Sequence, residues 1–75
     1  MLILDSWKKN DGTAIYCKEI GDVNLSKAKK VRIKNKEYDI IGYDIMTSLT
    51  GIKCAMLLLN TDDIITFPQE AVAVQ

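Results

Sequence analysis

Histidine is absent from all 75 residues. That omission removes the Ser-His-Asp and Cys-His nucleophile pairs, the histidine general base and the commonest zinc ligand sets. Cysteine is scarce: Cys17 and Cys54 stand alone, without a C-x-x-C pair and far below the density of a secreted disulfide scaffold. Two reduced, buried thiols are expected, although spacing alone leaves a disulfide open. An excess of either charge is also lacking, since ten basic and ten acidic side chains cancel. Bulk electrostatics therefore points to no nucleic acid, membrane or acidic substrate. No apolar run approaches the roughly 20 residues that span a bilayer. The amino terminus, Met1-Leu2-Ile3-Leu4-Asp5, lacks the basic start and longer apolar stretch of a signal peptide. A cytoplasmic location is the expectation. Walker loops, G-x-S-x-G elbows and dinucleotide fingerprints are missing too, so no catalytic residue, cofactor site or metal site is expected and the chain reads as a non-enzyme.

What is present is a globular composition, 48% hydrophobic and 27% charged, in a chain too short for a second core. Helical periodicity is weak, whereas short runs rich in Ile, Val, Tyr and Leu recur between turn-forming clusters. Candidate strands are Leu2 to Trp7, Thr13 to Ile20, Val31 to Lys34, Glu37 to Met46, Ile52 to Leu59, Ile64 to Phe67 and Ala71 to Val74. The Asn10-Asp11-Gly12 and Asn35-Lys36 turns supply residues that tolerate positive φ. Residues 23 to 29 read as irregular, with room for one helical turn begun by Ser26. The nearly continuous apolar run from Ile52 to Leu59 fits a central strand buried on both faces; its bounding turns favour strand over helix. The expected architecture is an all-β, small single-domain antiparallel barrel of six or seven short strands over residues 1–75.

The strand from Glu37 to Met46 is the most informative. Tyr38 and Ile40 share one face, but Ile41, Tyr43 and Ile45 fall on the other, with Gly42 at the changeover. A bulge or bend there is expected. If Gly42 occupied a glycine-only backbone region, its replacement by valine would destabilise by about 1–3 kcal/mol.

The run from Gly21-Asp22-Val23 through Val31-Arg32-Ile33 to Tyr38-Asp39-Ile40-Ile41-Gly42-Tyr43-Asp44-Ile45 resembles the middle of a translation-factor-type β-barrel, the domain 2 type of elongation factor Tu. In that family a glycine-containing turn leads to a V-x-I strand and then to a strand bent at an apolar-Gly-apolar step. The likeness covers roughly residues 13 to 60 and implies the fold alone. Ala28-Lys29-Lys30 stands where the family has glycine-aspartate, and no functional residue is carried over.

Charge is unevenly distributed. Residues 1 to 36 hold nine basic and four acidic groups, and residues 37 to 75 hold one basic and six acidic. Lys27, Lys29, Lys30, Arg32, Lys34 and Lys36 place six basic groups within ten residues, with Tyr38 following. These seven are the candidate partner-binding residues, a stripe that could contact phosphates with Tyr38 as a stacking ring. The alternative is edge-strand lysines that discourage aggregation. Glu37 and Asp39 share a strand face at carboxylate-pair spacing, but cross-strand pairing with Arg32 explains them without catalysis. Asn60-Thr61-Asp62-Asp63 lacks calcium-loop spacing and reads as a hydrogen-bonded turn.

The leading expectation is a small non-catalytic interaction module docking on a protein partner or self-associating, with no membrane role. Its support is the opposed charge and an apolar excess around Ala55 to Leu59, Ile64-Ile65 and Ala71 to Val74, part of which is expected to lie exposed. The alternative is a nucleic-acid-binding barrel using the Lys27 to Lys36 stripe.

Overall fold

A computed structural model describes residues 1–74. These residues form six strands: β1 (Leu2–Lys9), β2 (Gly12–Lys18), β3 (Lys30–Ile33), β4 (Lys36–Thr47), β5 (Lys53–Leu59) and β6 (Gln69–Val74). All pair antiparallel and close into a barrel in the order β1-β2-β5-β4-β3-β6. No helix among the described residues is long and apolar enough to cross a membrane.

Alternation fills the interior. Ile15 and Cys17 of β2, Val31 and Ile33 of β3, and Leu57 and Leu59 of β5 point inward and are buried, the period-2 pattern of strands with one face on a core. The two open ends are plugged by connecting segments. Ile20 and Leu25, from the β2–β3 connection, fill one end, and Ile65 from the β5–β6 connection fills the other. Register also settles the thiols. Cys17 pairs with Ala55 and Lys18 with Cys54, so the two cysteines project from opposite faces of the sheet and are free and buried.

Some expectations need correction. Ile64 to Phe67 is not a strand. Side chains rather than a ladder anchor the residues before it, and Pro68 has no N–H to offer one. The β3–β4 turn comprises Lys34 and Asn35, and the positive φ of 57° falls on Lys34. The turn in the β2–β3 connection begins at Asn24, whose carbonyl accepts from the N–H groups of Lys27 and Ala28, while its side chain accepts from Ser26. β5 is fully buried only on its inward face, since Met56 is exposed and Leu58 half-buried on the other.

The irregularity in β4 lies where the parity change places it. Ile40 pairs with Leu59 and Gly42 with Leu58, leaving Ile41 as the extra residue. Before this bulge the even-numbered Tyr38 and Ile40 face inward; after it Tyr43 and Ile45, opposite Leu57 and Ala55, do so. Gly42 itself is not in a glycine-only region. It has no positive φ, and a Cβ built on it would meet nothing within 4 Å. The conditional penalty on valine at this position therefore does not apply.

Candidate docking site at the free edge of β4

Half of the basic stripe is committed within the barrel. Lys30, Arg32 and Lys34 project outward while Val31 and Ile33 are buried, as the alternation requires. Across the β3–β4 hairpin, Arg32 contacts Glu37 at 3.1 Å and Lys30 contacts Asp39 at 3.8 Å. Lys36 reaches Asp63 at 2.6 Å. Lys27, Lys29 and Lys34 are exposed and form no ion pair among the described residues. Tyr38 is not a stacking ring. It is 9% exposed, its hydroxyl donates to Asp63 at 3.0 Å, and Lys36 lies over its ring.

The turn after β5 is a latch. The Thr13 hydroxyl, itself buried, lies 3.0 Å from the carbonyl oxygens of both Thr61 and Asp63, and the Asp63 N–H donates to the Thr61 hydroxyl. Lys8 takes the Asp62 carboxylate at 3.0 Å. Hydrogen bonds from Lys36 and Tyr38 hold the Asp63 carboxyl below its ordinary range, and the same contact raises Lys36. Burial, then the bond to Asp63, raises Tyr38. These carboxylates fasten the β5–β6 connection to the barrel mouth, which is the hydrogen-bonded turn expected of Asn60 to Asp63.

The unpaired feature lies elsewhere. β3 has 4 residues and β4 has 12, so β3 accompanies β4 only from Lys36 to Asp39. Beyond the Ile40 N–H, which donates to the Lys29 carbonyl, β4 has β5 on one side and, among the described residues, no strand on the other. The Ser48 N–H donates to the Ile52 carbonyl at 2.9 Å. Because hydrogen-bonded pairs alternate along an antiparallel ladder, Met46, Asp44 and Gly42 direct their backbone groups to β5. Tyr43, Ile45 and Thr47 direct theirs to the open side.

No protein-family model, curated protein or solved structure matches the chain.

Exposed apolar side chains flank this edge on both faces. On the inward side Tyr43 and Ile45 remain 46% and 45% exposed because only the β2–β3 connection lies opposite them, across a groove of about 340 Å³ walled by Gly21 to Ser26. On the outward side, Trp7, Ala14, Leu58 and Gly42 form one cross-strand row. The small Ala14 and absent Gly42 side chain leave a depression of about 140 Å³ bordered by Trp7 and Met56. Met46, Leu49 and Ile52 continue the exposed apolar surface around the β4–β5 hairpin.

The apolar excess expected in the later strands is partly exposed, and the β4 edge adds exposed apolar residues outside those segments. Ala55, Leu57, Leu59, Ile65 and Ala71 are buried, and from those segments Met56, Ile64 and Val72 are exposed. The signal that locates the edge is the unequal length of the two strands flanking the Lys34-Asn35 turn. A four-residue strand cannot cover a partner of ten or more.

Proposed function

We propose that this chain is a small, non-catalytic, cytoplasmic interaction module that docks on a protein partner through the distal half of β4. The observation that carries this reading is the coincidence, from Ile41 to Thr47, of an open row of backbone donors and acceptors with exposed apolar side chains on both faces. Proteins ordinarily blunt such an edge with lysine, proline or a covering segment, and between Ile41 and Thr47 the only charge is Asp44. A large exposed apolar surface marks an interaction site. The ion pairs of Lys30, Arg32 and Lys36 weigh against the nucleic-acid reading, because groups already neutralised release fewer counterions from a phosphate backbone. The docking reading makes no use of the likeness to the translation-factor barrel, which carries the fold alone.

The test uses Ile45→Pro. Proline removes an N–H that faces the open side and leaves the ladder to β5 intact, the one strand setting that tolerates it. Affinity capture should retain a protein on the wild-type chain and on a chain with Lys30, Arg32 and Lys34 changed to glutamine, and lose it on folded Ile45→Pro. Capture indifferent to Ile45→Pro, or micromolar RNA or DNA binding that falls steeply with salt, overturns the proposal.

A further inference from the structure

Resting on that docking reading, we infer that the β4 edge accepts an extended, antiparallel peptide segment of another protein that carries a basic residue facing Asp44 and, two positions later, a large apolar residue facing Gly42. The backbone parity sets the frame. Tyr43 and Ile45 offer N–H and C=O groups to the open side, so the incoming strand makes its hydrogen-bonded pairs with them and meets Gly42 and Asp44 in the alternate pairs. In those pairs side chains stand closest, with Cβ atoms about 4.5–5.5 Å apart.

Gly42 then selects size. A Cβ there would touch nothing, and the Trp7–Met56 depression lies directly beside it. An aromatic or long aliphatic side chain on the added strand completes the Trp7, Ala14, Leu58, Gly42 row by lying across the glycine. Asp44 selects charge. It is exposed and has no ion-pair partner among the described residues, and an opposite charge directly across favours the register. The residues between and before these two stand directly across from Tyr43 and Ile45, whose exposed side chains favour apolar partners there, while the far wall of the groove, with Asp22, Asn24 and Ser26, is polar.

A second copy of the chain fits this edge poorly. Two-fold pairing of β4 with itself places Met46 across from Gly42 only in the register that also sets Asp44 opposite its own copy. Shifting by one pair in either direction separates the carboxylates but puts Asp44 or Ser48 across from Gly42 and leaves the depression unfilled. Like charges directly opposite are destabilising. The edge is thus complementary to a different sequence.

The probe is a fluorescein-labelled peptide with the run Ile-Lys-Val-Phe between threonines, titrated with the intact chain by anisotropy. N-methylation of its valine, which pairs with Tyr43, should weaken binding at least tenfold; N-methylation of its phenylalanine, whose N–H points away, should change it less than twofold. Gly42→Val should weaken the phenylalanine peptide at least tenfold yet bind a glycine-substituted peptide as well as the wild-type chain does. Asp44→Lys should reverse the preference between lysine and glutamate peptides. Absence of binding to the wild-type chain at millimolar peptide, or equal effects of the two methylations, overturns the inference. So does a sedimentation result showing a dimer that Ile45→Pro dissociates. If the peptide fails while a captured protein is still lost on Ile45→Pro, this inference falls and the docking reading stands; if neither responds, both fall.

Discussion

Two glycines that sit at irregular points of the barrel should respond to alanine with opposite signs. Gly12 closes the β1–β2 turn beside the end of β5, and a Cβ on it would overlap the Leu59 carbonyl oxygen and stand 3.2 Å from the Leu59 carbonyl carbon. Both are backbone atoms, so no side chain can rotate away. Relief requires the turn to lift or the Thr13–Leu59 pair to part. Parting it forfeits ladder hydrogen bonds of about 0.5–1.5 kcal/mol each and loosens Leu59, which is wholly buried. Gly12→Ala should therefore lower stability by about 2–3 kcal/mol, roughly 10–20 °C in Tm for a domain of this size. Gly42 has open space and no positive φ. There alanine narrows the unfolded ensemble without native strain and should stabilise by about 0.4–1 kcal/mol. Urea and thermal unfolding followed by circular dichroism measure both against the same wild type. A neutral Gly12→Ala would show that the turn does not abut β5, and a Gly42→Ala loss above about 1 kcal/mol would show that the bulge needs glycine after all.

Three further outcomes are expected. Burial pushes the Cys17 thiol up to about 11, so its labelling at neutral pH should be slow and should accelerate only with unfolding; rapid labelling in the folded state would contradict its position in the core. Asp63 is held below its ordinary value of 3.8, so its contribution to stability is present above that value and disappears as pH falls through the lower folded one. Asp63→Asn should accordingly be less stable than wild type at pH 7, and the gap should close in acid; a gap that persists unchanged at low pH would sink the latch as an ionic contact. Changing Lys30, Arg32 and Lys34 together to glutamine should leave the fold intact, with each exposed substitution costing no more than about half a kcal/mol, and unfolding of the triple variant would mean that the β3 register is wrong.

The barrel was legible in the sequence because its main determinants are local. Val31 and Ile33 alternate with charged neighbours, and alternation assigns faces without reference to any other strand. The parity break between Ile40 and Ile41 likewise announced the bulge. Where the structure departs from the local pattern, the deciding contact is distant in sequence. Ile64 to Phe67 has strand composition, but whether it pairs depends on Thr13, Lys8, Lys36 and Tyr38 capturing the residues just before it. Tyr38 looked like a surface aromatic on a charged strand until Asp63, 25 positions away, claimed its hydroxyl.

The docking edge is a different kind of omission, since each of its parts was visible and only their combination was not. Tyr43 and Ile45 have the parity of core residues, and in a barrel whose strands matched in length they would be core. Their exposure follows from a shortfall on another strand: β3 has only four residues and starts no earlier than Lys30, and the chain fills the missing side with a connection that bonds mainly to itself and to Lys53. Such a connection can plug the barrel with Ile20 and Leu25 without supplying a ladder, because irregular backbone satisfies its own groups in turns. The result is a strand with a core-like pattern that, among the described residues, is paired on one edge only. Extending β3 by restoring alternation through residues 26 to 29, for example with Lys27→Val and Lys29→Val, would test whether the open edge is a consequence of that shortfall: with Lys29 already bonded to Ile40 and Ile41 as the extra residue, a longer β3 places residue 27 against Tyr43 and should protect the Tyr43 amide from exchange and remove peptide binding together, and protection gained without loss of binding would separate the edge from the site.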